Sequence, residues 1–163
     1  NRKIINLLTL FSSGFGIASC FAVLNFFNSD MVYELQFPFI KINDFIVNYG
    51  IYIDKTSLIF ALVLFIVSFW VQLFSCTYMK NELKTYRFFG LLNLFNFSMC
   101  ALFFSPNLFQ TYFFWELAGI TSYLLITFDY TKKEKSTAGK KVFIINRIGD
   151  TAFIGAIILC SYF

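Results

Sequence analysis

Residues 56–79, TSLIFALVLFIVSFWVQLFSCTYM, form an apolar run that contains no charged side chain. A helix needs about 20 consecutive apolar residues to cross the hydrocarbon core of a bilayer, which is roughly 30 Å thick. This run is long enough, so it predicts a helix that crosses a membrane.

Four further apolar runs lie on either side of it, at residues 4–27, 88–105, 108–128 and 142–163. The run at 88–105 is short, and Ser105-Pro106-Asn107 separates it from the next run. Proline lacks a backbone N–H and disfavours helical geometry in the residue before it, so this pair is predicted to form a tight helical hairpin. One continuous kinked helix would be too long for a single crossing. The chain is therefore predicted to be a single all-α polytopic membrane domain, residues 1–163, with about five transmembrane helices.

The composition agrees with lipid as the main solvent. Of the 163 residues, 58% are hydrophobic and 13% are charged, whereas about 25% of residues are charged in an average soluble domain. The chain has 25 Phe but only 2 Pro and 8 Gly. The abundant residue types Phe, Tyr, Asn, Ile and Lys all have A/T-rich codons. Such a composition is typical of an organellar genome.

Several classes of function are excluded by the same composition. The net charge of +4 is dispersed, and no basic run is interleaved with aromatic residues as in a nucleic-acid-binding surface. The four cysteines lie far apart in or beside apolar runs, and the sequence has no histidine. Because the ligand spacing of zinc, haem and iron–sulfur sites is missing, the chain is expected to hold no metal or cofactor. The cysteines are expected to pack as small apolar side chains.

Charges between the apolar runs alternate in sign along the chain. The N-terminus and every second connection are basic. These segments contain Arg2 and Lys3; Lys80, Lys84 and Arg87; and Lys132, Lys133, Lys135, Lys140 and Lys141. The connection at 28–55 is instead mainly acidic. Because inside loops carry an excess of Lys and Arg, the N-terminus is predicted to lie inside and residues 28–55 outside. The lysine-rich segment at 132–141 is predicted to be an inside loop that meets anionic lipid, with Asp129 and Glu134 solvated in it.

The outer connection, residues 28–55, also alternates apolar and polar residues. The alternation runs through residues 35–42, the turn-prone pair Asn43-Asp44 follows, and the alternation resumes at 51–53. A period of two around a turn predicts a short β-hairpin on the outer membrane surface.

Three ionisable residues fall inside predicted spans: Glu116, Arg147 and Asp150. A charge at the centre of a membrane helix costs about 2.5–3.5 kcal/mol on insertion scales, so each must face protein or water, pair, or change its protonation state. Burial favours the neutral form of a carboxylate and a nearby cation favours the ionised form. A change in partner distance could therefore make Glu116 bind or release a proton, as a proton relay requires. The alternative is a neutral carboxylic acid that hydrogen-bonds two helices together.

The surroundings of Glu116 favour the relay. Gly119, Tyr123 and Thr127 follow it at helical spacing and form a lightly polar stripe that could hold water. Arg147 and Asp150 are three residues apart and share one helix face. They form either a local ion pair that orients the helix, with Arg147 reaching towards the basic interface, or a group in which Asp150 modulates the proton-bearing site.

These residues resemble a known family. WELAGITSYLLI at 115–126 looks like the W-E-x-x-G-x-x-S-Y-L-L-I helix of subunit 5 of respiratory complex I, and KVF at 141–143 with NRIGD at 146–150 resembles its K-A-F-x-x-N-R-x-G-D segment. Shorter matches lie before these segments, in the same order as in the family, and the first begins at residue 53. The resemblance therefore covers roughly residues 53–150. Leu117 and Lys55 replace family glycines, Phe114 replaces a glycine and Val142 replaces an alanine. None of these departures removes an ionisable position.

The resemblance implies that the five spans are the family's second to sixth helices, with the hairpin after the second. It implies that Glu116 is the fifth-helix glutamate that pairs with a seventh-helix lysine in the proton path, and that Asp150 is the sixth-helix aspartate that modulates it. The chain is then an N-terminal portion that lacks the first helix and everything after the sixth. Glu116 is expected to have no cationic partner within this chain, the lysine coming from a second chain or the rest of the subunit.

The resemblance also implies a function in the proton-pumping membrane arm of NADH–ubiquinone oxidoreductase. NAD, FMN, iron–sulfur clusters and ubiquinone would bind elsewhere in the complex, and the partners would be other membrane-arm subunits and lipids, with no nucleic acid. The expected location is the mitochondrial inner membrane, with residues 28–55 in the intermembrane space and the basic loops in the matrix. One alternative is an Mrp-type cation/proton antiporter subunit, which also carries Trp-Glu, although the Asn-Arg-x-Gly-Asp element favours complex I. The other is a membrane scaffold without an ion path.

Overall fold

The computed structural model describes residues 2–26, 31–42, 45–80, 84–128 and 133–162. These residues form, in chain order, α1 (Arg2–Phe26), β1 (Tyr33–Ile42), β2 (Phe45–Ile53), α2 (Lys55–Tyr78), α3 (Thr85–Phe103), α4 (Leu108–Ile126) and α5 (Lys133–Tyr162). Each helix packs against the next one along the chain. The predicted helical fold, with one antiparallel β-hairpin between the first and second helices, is confirmed.

Three helices in the described part of the chain are long and apolar enough to cross a membrane by length and composition. Their candidate spans are Ile4–Phe26, Lys55–Tyr78 and Thr137–Cys160. Helices α3 and α4 have 19 residues each, which makes each about 28 Å long at 1.5 Å per residue. That length is close to the thickness of the hydrocarbon core, although these two helices are not among the candidate spans of the described residues. All five predicted spans are therefore helices, and three of them are membrane-span candidates.

The helices bury small and polar residues and expose large apolar ones. Ala61, Gln72 and Ser98 are fully buried, whereas the side chains of Phe11 and Phe74 are about 70% exposed. Lipid accommodates large apolar side chains as well as protein does, so membrane helices associate through small residues and interhelical hydrogen bonds. This distribution is typical of a membrane domain.

A chain of neutral polar side chains connects the first three helices. Ser13 on α1 donates to Gln72 Oε1 at 2.9 Å, and Gln72 Nε2 donates to Asn93 Oδ1 on α3 at 3.0 Å. One turn away, Ser68 donates to Asn96 Oδ1 at 2.6 Å. Hydrogen bonds of this kind contribute about 0.6 kcal/mol each on average, and here they hold α1, α2 and α3 in one register.

Two helices begin three or more residues before the apolar runs that predict them. Helix α5 begins at Lys133 rather than at residue 142, and α3 begins at Thr85 rather than at residue 88. The lysine-rich segment from 133 onwards, including Glu134, is therefore helical and not a loop; Asp129 and Lys132 lie outside the described residues. Lysine, glutamate and alanine are good helix formers, but they give no hydropathy signal, so the apolar pattern shows only the inner part of this helix.

The connection between α3 and α4 is the predicted helical hairpin. Helix α3 ends at Phe103 and α4 begins at Leu108, with Pro106 between them. Asn107 caps α4, because its side-chain oxygen accepts a hydrogen bond from the Gln110 backbone N–H at 2.8 Å.

The β-hairpin pairs Tyr33 with Ile53 at its base and contains a register shift between Pro38 and Ile40. Because proline cannot donate to the ladder, it is tolerated at such an irregularity. The predicted turn Asn43-Asp44 lies outside the described residues.

The hairpin is attached to the α3–α4 connection through β2. The backbone N–H of Tyr52 donates to the Phe104 carbonyl at 2.9 Å, and Asn107 Nδ2 donates to the Asn48 carbonyl at 2.6 Å. The hairpin therefore lies at the end of the bundle where α4 begins.

Candidate functional site

The candidate site lies where α4 and α5 pack together. Contacts run in opposite directions along the two helices: Thr127 with Gly139, Tyr123 with Phe143, Gly119 with Asn146, Glu116 with Arg147, Trp115 with Asp150, and Tyr112 with Phe153. The helices are therefore antiparallel, and all three predicted site residues lie at their contact.

Glycine permits this contact at its lysine-rich end. A Cβ atom on Gly139 would collide with Thr127 Cγ2, and near the site a Cβ on Gly119 would lie 4.0 Å from Asn146 Nδ2. The stripe of Gly119, Tyr123 and Thr127 therefore faces α5.

Glu116 lies in the middle of α4 and has a partner for each carboxylate oxygen. Its Oε2 accepts a hydrogen bond from the Tyr112 hydroxyl at 2.7 Å, and its Oε1 pairs with the Arg147 guanidinium. The Glu116 side chain is 19% exposed. Arg147 also lies over the Phe143 ring, 4.9 Å from its centroid, in a cation–π arrangement.

The structure decides between the two interpretations of Arg147 and corrects the expectation that Glu116 has no cationic partner in this chain. Arg147 pairs across the helix interface with Glu116, not locally with Asp150, and it gives Glu116 a cationic partner within this chain. The local spacing suggested the other pairing because residues three apart always share a face, whereas the register between two helices leaves no mark in the sequence.

Asp150 is held by a neutral donor. Only 7% of the residue is exposed, and its Oδ1 accepts a hydrogen bond from Trp115 Nε1 at 3.1 Å. The Trp115 ring contacts Phe153 edge-on, with the centroids 6.3 Å apart, and Phe153 also meets Tyr112 at 5.8 Å. Phe153 thus fixes the rings of the two residues that donate to the two carboxylates.

A groove of about 680 Å³ lies between α3, α4 and α5, and Asp150 forms part of its wall. The remaining lining is mostly apolar, and it consists of Phe95, Met99, Leu102, Thr111, Trp115, Ala118, Gly119, Ser122, Ile145, Asn146, Gly149 and Phe153. Glu116 and Arg147 do not line it. The two carboxylates therefore lie in different environments: one beside a cation, the other at an apolar groove.

The sequence matches two family models, and the second of them contains the whole candidate site. Residues 39–89 match the model described as NADH-Ubiquinone oxidoreductase (complex I), chain 5 N-terminus, and residues 105–163 match NADH:quinone oxidoreductase/Mrp antiporter, TM. This chain belongs to the chain 5 family of complex I.

Relatives of the chain 5 family match most or all of the chain. NADH-quinone oxidoreductase subunit L of Rickettsia bellii is 35% identical over 100% of this chain and 26% of its own length. NAD(P)H-quinone oxidoreductase subunit 5, chloroplastic, of Mesostigma viride is 37% identical over 82% of this chain and 21% of its own length. The same protein of Chara vulgaris is 40% identical over 80% and 20%. The chain thus spans about a fifth to a quarter of the length of these relatives.

The match to the NADH:quinone oxidoreductase/Mrp antiporter model covers α4 and α5 and so includes Glu116, Arg147 and Asp150. Sequence reasoning selected these three residues but missed their donors, Tyr112 and Trp115. Tyr112 precedes Glu116 by four residues, so helical spacing alone contained that signal. Trp115 had none, because its partner belongs to another helix.

Proposed function

We propose that this chain forms part of an antiporter-like, proton-translocating subunit in the membrane arm of NADH–quinone oxidoreductase, with Glu116 as a proton-bearing group. The proposal rests on one observation above all: a carboxylate in the middle of α4 is bound by a cation from α5 and by the Tyr112 hydroxyl. The Glu116 side chain is 19% exposed and that of Arg147 is 45% exposed, and an ionised carboxylate that is largely removed from solvent is tolerated when it is paired and hydrogen-bonded. Membership of the chain 5 family gives this pair its context.

The proposed chemistry is a proton exchange controlled by the separation of one ion pair. While Arg147 contacts Glu116, the ionised carboxylate is favoured; when Arg147 moves away, the carboxylate loses its counter-charge and takes up a proton. The return of Arg147 expels that proton. Asp150 is the second carboxylate within reach of Arg147 on its own helix face, so it modulates this exchange.

The rest of the complex supplies what this chain does not carry. We assign NADH oxidation and quinone reduction, with their flavin and iron–sulfur groups, to other subunits, and other membrane-arm subunits and lipids are the proposed partners. The remainder of the subunit would supply the further lysine that the family resemblance implies. The A/T-rich codon bias of the composition supports the mitochondrial inner membrane as the location.

Glu116→Gln tests the function in the assembled complex. The amide keeps the size and can still accept hydrogen bonds, but it cannot titrate. We expect proton transport coupled to NADH–quinone turnover to fall by about tenfold or more, because general acid–base groups contribute about 10²–10⁴-fold to proton-transfer steps. NADH oxidation by an artificial acceptor should continue, since it uses groups outside this chain.

Glu34→Gln is the matched control, because Glu34 lies on the exposed hairpin. It removes one carboxylate without touching the α4–α5 contact and should leave coupled transport unchanged. A normal proton-to-electron ratio in an assembled Glu116→Gln complex would contradict the proposal and support a purely structural role.

An Mrp-type antiporter subunit is the second candidate, because the model matched at residues 105–163 describes both classes. In that case transport would be driven by an ion gradient alone. Transport that persists in the presence of a quinone-site inhibitor of complex I would favour the antiporter.

A further inference from the structure

Two carboxylates lie at the α4–α5 contact, and Arg147 pairs with Glu116. Asp150 lies three residues further along α5, so the two side chains are neighbours on the same helix face. Glu116 reaches Arg147 from α4. Something must therefore keep Asp150 from competing for the guanidinium.

The indole of Trp115 is the group that occupies Asp150. Its Nε1 lies 3.1 Å from Asp150 Oδ1. Trp115 is adjacent to Glu116 in α4, so one turn of this helix contacts both predicted site residues of α5: Trp115 donates to the Asp150 carboxylate, and Glu116 pairs with the Arg147 guanidinium.

The orientation of the indole is itself fixed. Trp115 contacts the Phe153 ring edge-on, at an interplanar angle of 72°. Phe153 lies one turn after Asp150 on α5, so the same helix that carries the acceptor also holds the donor ring in place.

From this geometry we propose that Trp115 is a positioning residue that binds Asp150 and thereby reserves Arg147 for Glu116. This inference rests on the proposed function of Glu116. Trp115 carries no proton itself; it acts through Asp150, which would otherwise share the guanidinium and weaken the Glu116–Arg147 pair.

Trp115→Phe tests the proposal in the assembled complex. Phenylalanine keeps an aromatic ring against Phe153 but has no N–H donor. A hydrogen bond to a charged group is strong enough to change the sharing of Arg147 by about tenfold, so coupled proton transport should fall by about fivefold to tenfold. NADH oxidation by an artificial acceptor, which uses groups outside this chain, should stay at the wild-type level, and the amount of assembled complex is measured alongside it.

A double-mutant cycle with Asp150→Asn separates positioning from packing. Asparagine removes the charge that competes for Arg147, so adding Trp115→Phe to Asp150→Asn should change transport by less than about twofold relative to Asp150→Asn alone. An equal loss in both backgrounds would mean that Trp115 only packs, and it would overturn the proposal. If Trp115→Phe lowers assembly, the same cycle is scored on the amount of assembled complex, where positioning again predicts no loss in the Asp150→Asn background.

Glu116→Gln in the same assay distinguishes failure of the positioning role of Trp115 from failure of the proposed function of Glu116. If coupled proton transport is impaired in Glu116→Gln but normal in Trp115→Phe, the positioning role is overturned and the proposed function stands. Normal transport in Glu116→Gln would overturn the proposed function and, with it, the positioning role.

Discussion

At the scale of a single residue, the side chain of Gln110 binds both backbone polar groups of Gly50. Its Oε1 accepts from the Gly50 backbone N–H at 2.9 Å, and its Nε2 donates to the Gly50 carbonyl at 2.8 Å. Gln110 is buried, and Gly50 has no room for a side chain, because a Cβ there would collide with the Leu35 carbonyl. One amide thus satisfies both polar groups of one residue in β2 and ties the hairpin to α4.

Substitutions at Gln110 should loosen the hairpin in a graded way. Gln110→Ala leaves a buried N–H and C=O of Gly50 without partners, which costs about 1–3 kcal/mol. Gln110→Glu keeps an acceptor for the N–H but replaces the donor with a buried carboxylate oxygen that faces the Gly50 carbonyl, so its effect should be larger. Hydrogen–deuterium exchange of the Gly50 amide should accelerate about tenfold to a hundredfold in the alanine variant. Exchange that is equally slow in all three proteins would show that Gln110 does not anchor the hairpin.

Residue-level prediction from the sequence succeeded where the cause was local and failed where it was not. Glu116 was recognisable because a carboxylate is costly in an apolar helix, wherever its partner lies. Its pairing with Arg147 and the Trp115–Asp150 hydrogen bond depend on how α4 is shifted along α5. That shift follows from packing, so no spacing within one helix reveals it.

At the scale of elements, α2 begins with a complete capping box. The Asp54 carboxylate accepts from the Ser57 backbone N–H at 2.8 Å, and the Asp54 N–H donates to the Ser57 hydroxyl at 3.0 Å. Hydrogen bonding from the side chain and then the backbone of Ser57 lowers the pKa of Asp54, although partial burial opposes this. The apolar pattern placed the start of this span within one residue, because the cap directly precedes the apolar run.

The lowered pKa of Asp54 gives the cap a definite pH dependence. A folded-state pKa below the unfolded value of about 3.9 means that the ionised cap stabilises α2 above that pH. This contribution is lost as the pH falls through the folded-state pKa. Asp54→Ala should lower the protection of the Ser57 amide by about fivefold at pH 7, as expected for a cap worth about 1 kcal/mol.

Asp54→Asn is the control for charge, because asparagine caps a helix without titrating. It should protect the Ser57 amide at pH 7 and lose none of this protection on acidification. If the wild type also keeps full protection down to pH 2, the ionised carboxylate does not stabilise the cap.

Helix boundaries could be predicted from the sequence only where a change in hydropathy marks them. Each apolar run coincides with one helix, but α5 also includes lysine-rich residues that precede its run and begins at Lys133. Hydropathy finds the part of a helix that lipid would surround, and it is silent on a polar extension. The hairpin was predictable in outline from its period of two, but its attachment to Phe104 and Asn107 was not.

At the scale of the whole molecule, the antiparallel packing separates two chemically different ends. The hairpin contacts the end at which α4 begins. The opposite end holds the C-terminus of α4, where Thr127 lies against Gly139 near the lysine-rich start of α5. Charge alternation in the sequence and helix direction in the structure therefore agree, which supports the proposed topology with the lysine-rich end on the inner side.

This topology predicts opposite labelling of two exposed lysine positions. Lys41 lies on the hairpin and Lys140 near the start of α5, so Lys41→Cys and Lys140→Cys form a matched pair in a background whose four natural cysteines are replaced by alanine. In intact mitoplasts a membrane-impermeant maleimide should label Lys41→Cys, because the hairpin is proposed to face the intermembrane space. It should label Lys140→Cys only after the membrane is permeabilised, since the positive-inside rule places this position in the matrix. Full labelling of both variants after permeabilisation controls for accessibility. Labelling of Lys140→Cys in intact mitoplasts would mean that the two ends are reversed, and the proton path through Glu116 would then run in the opposite sense across the membrane.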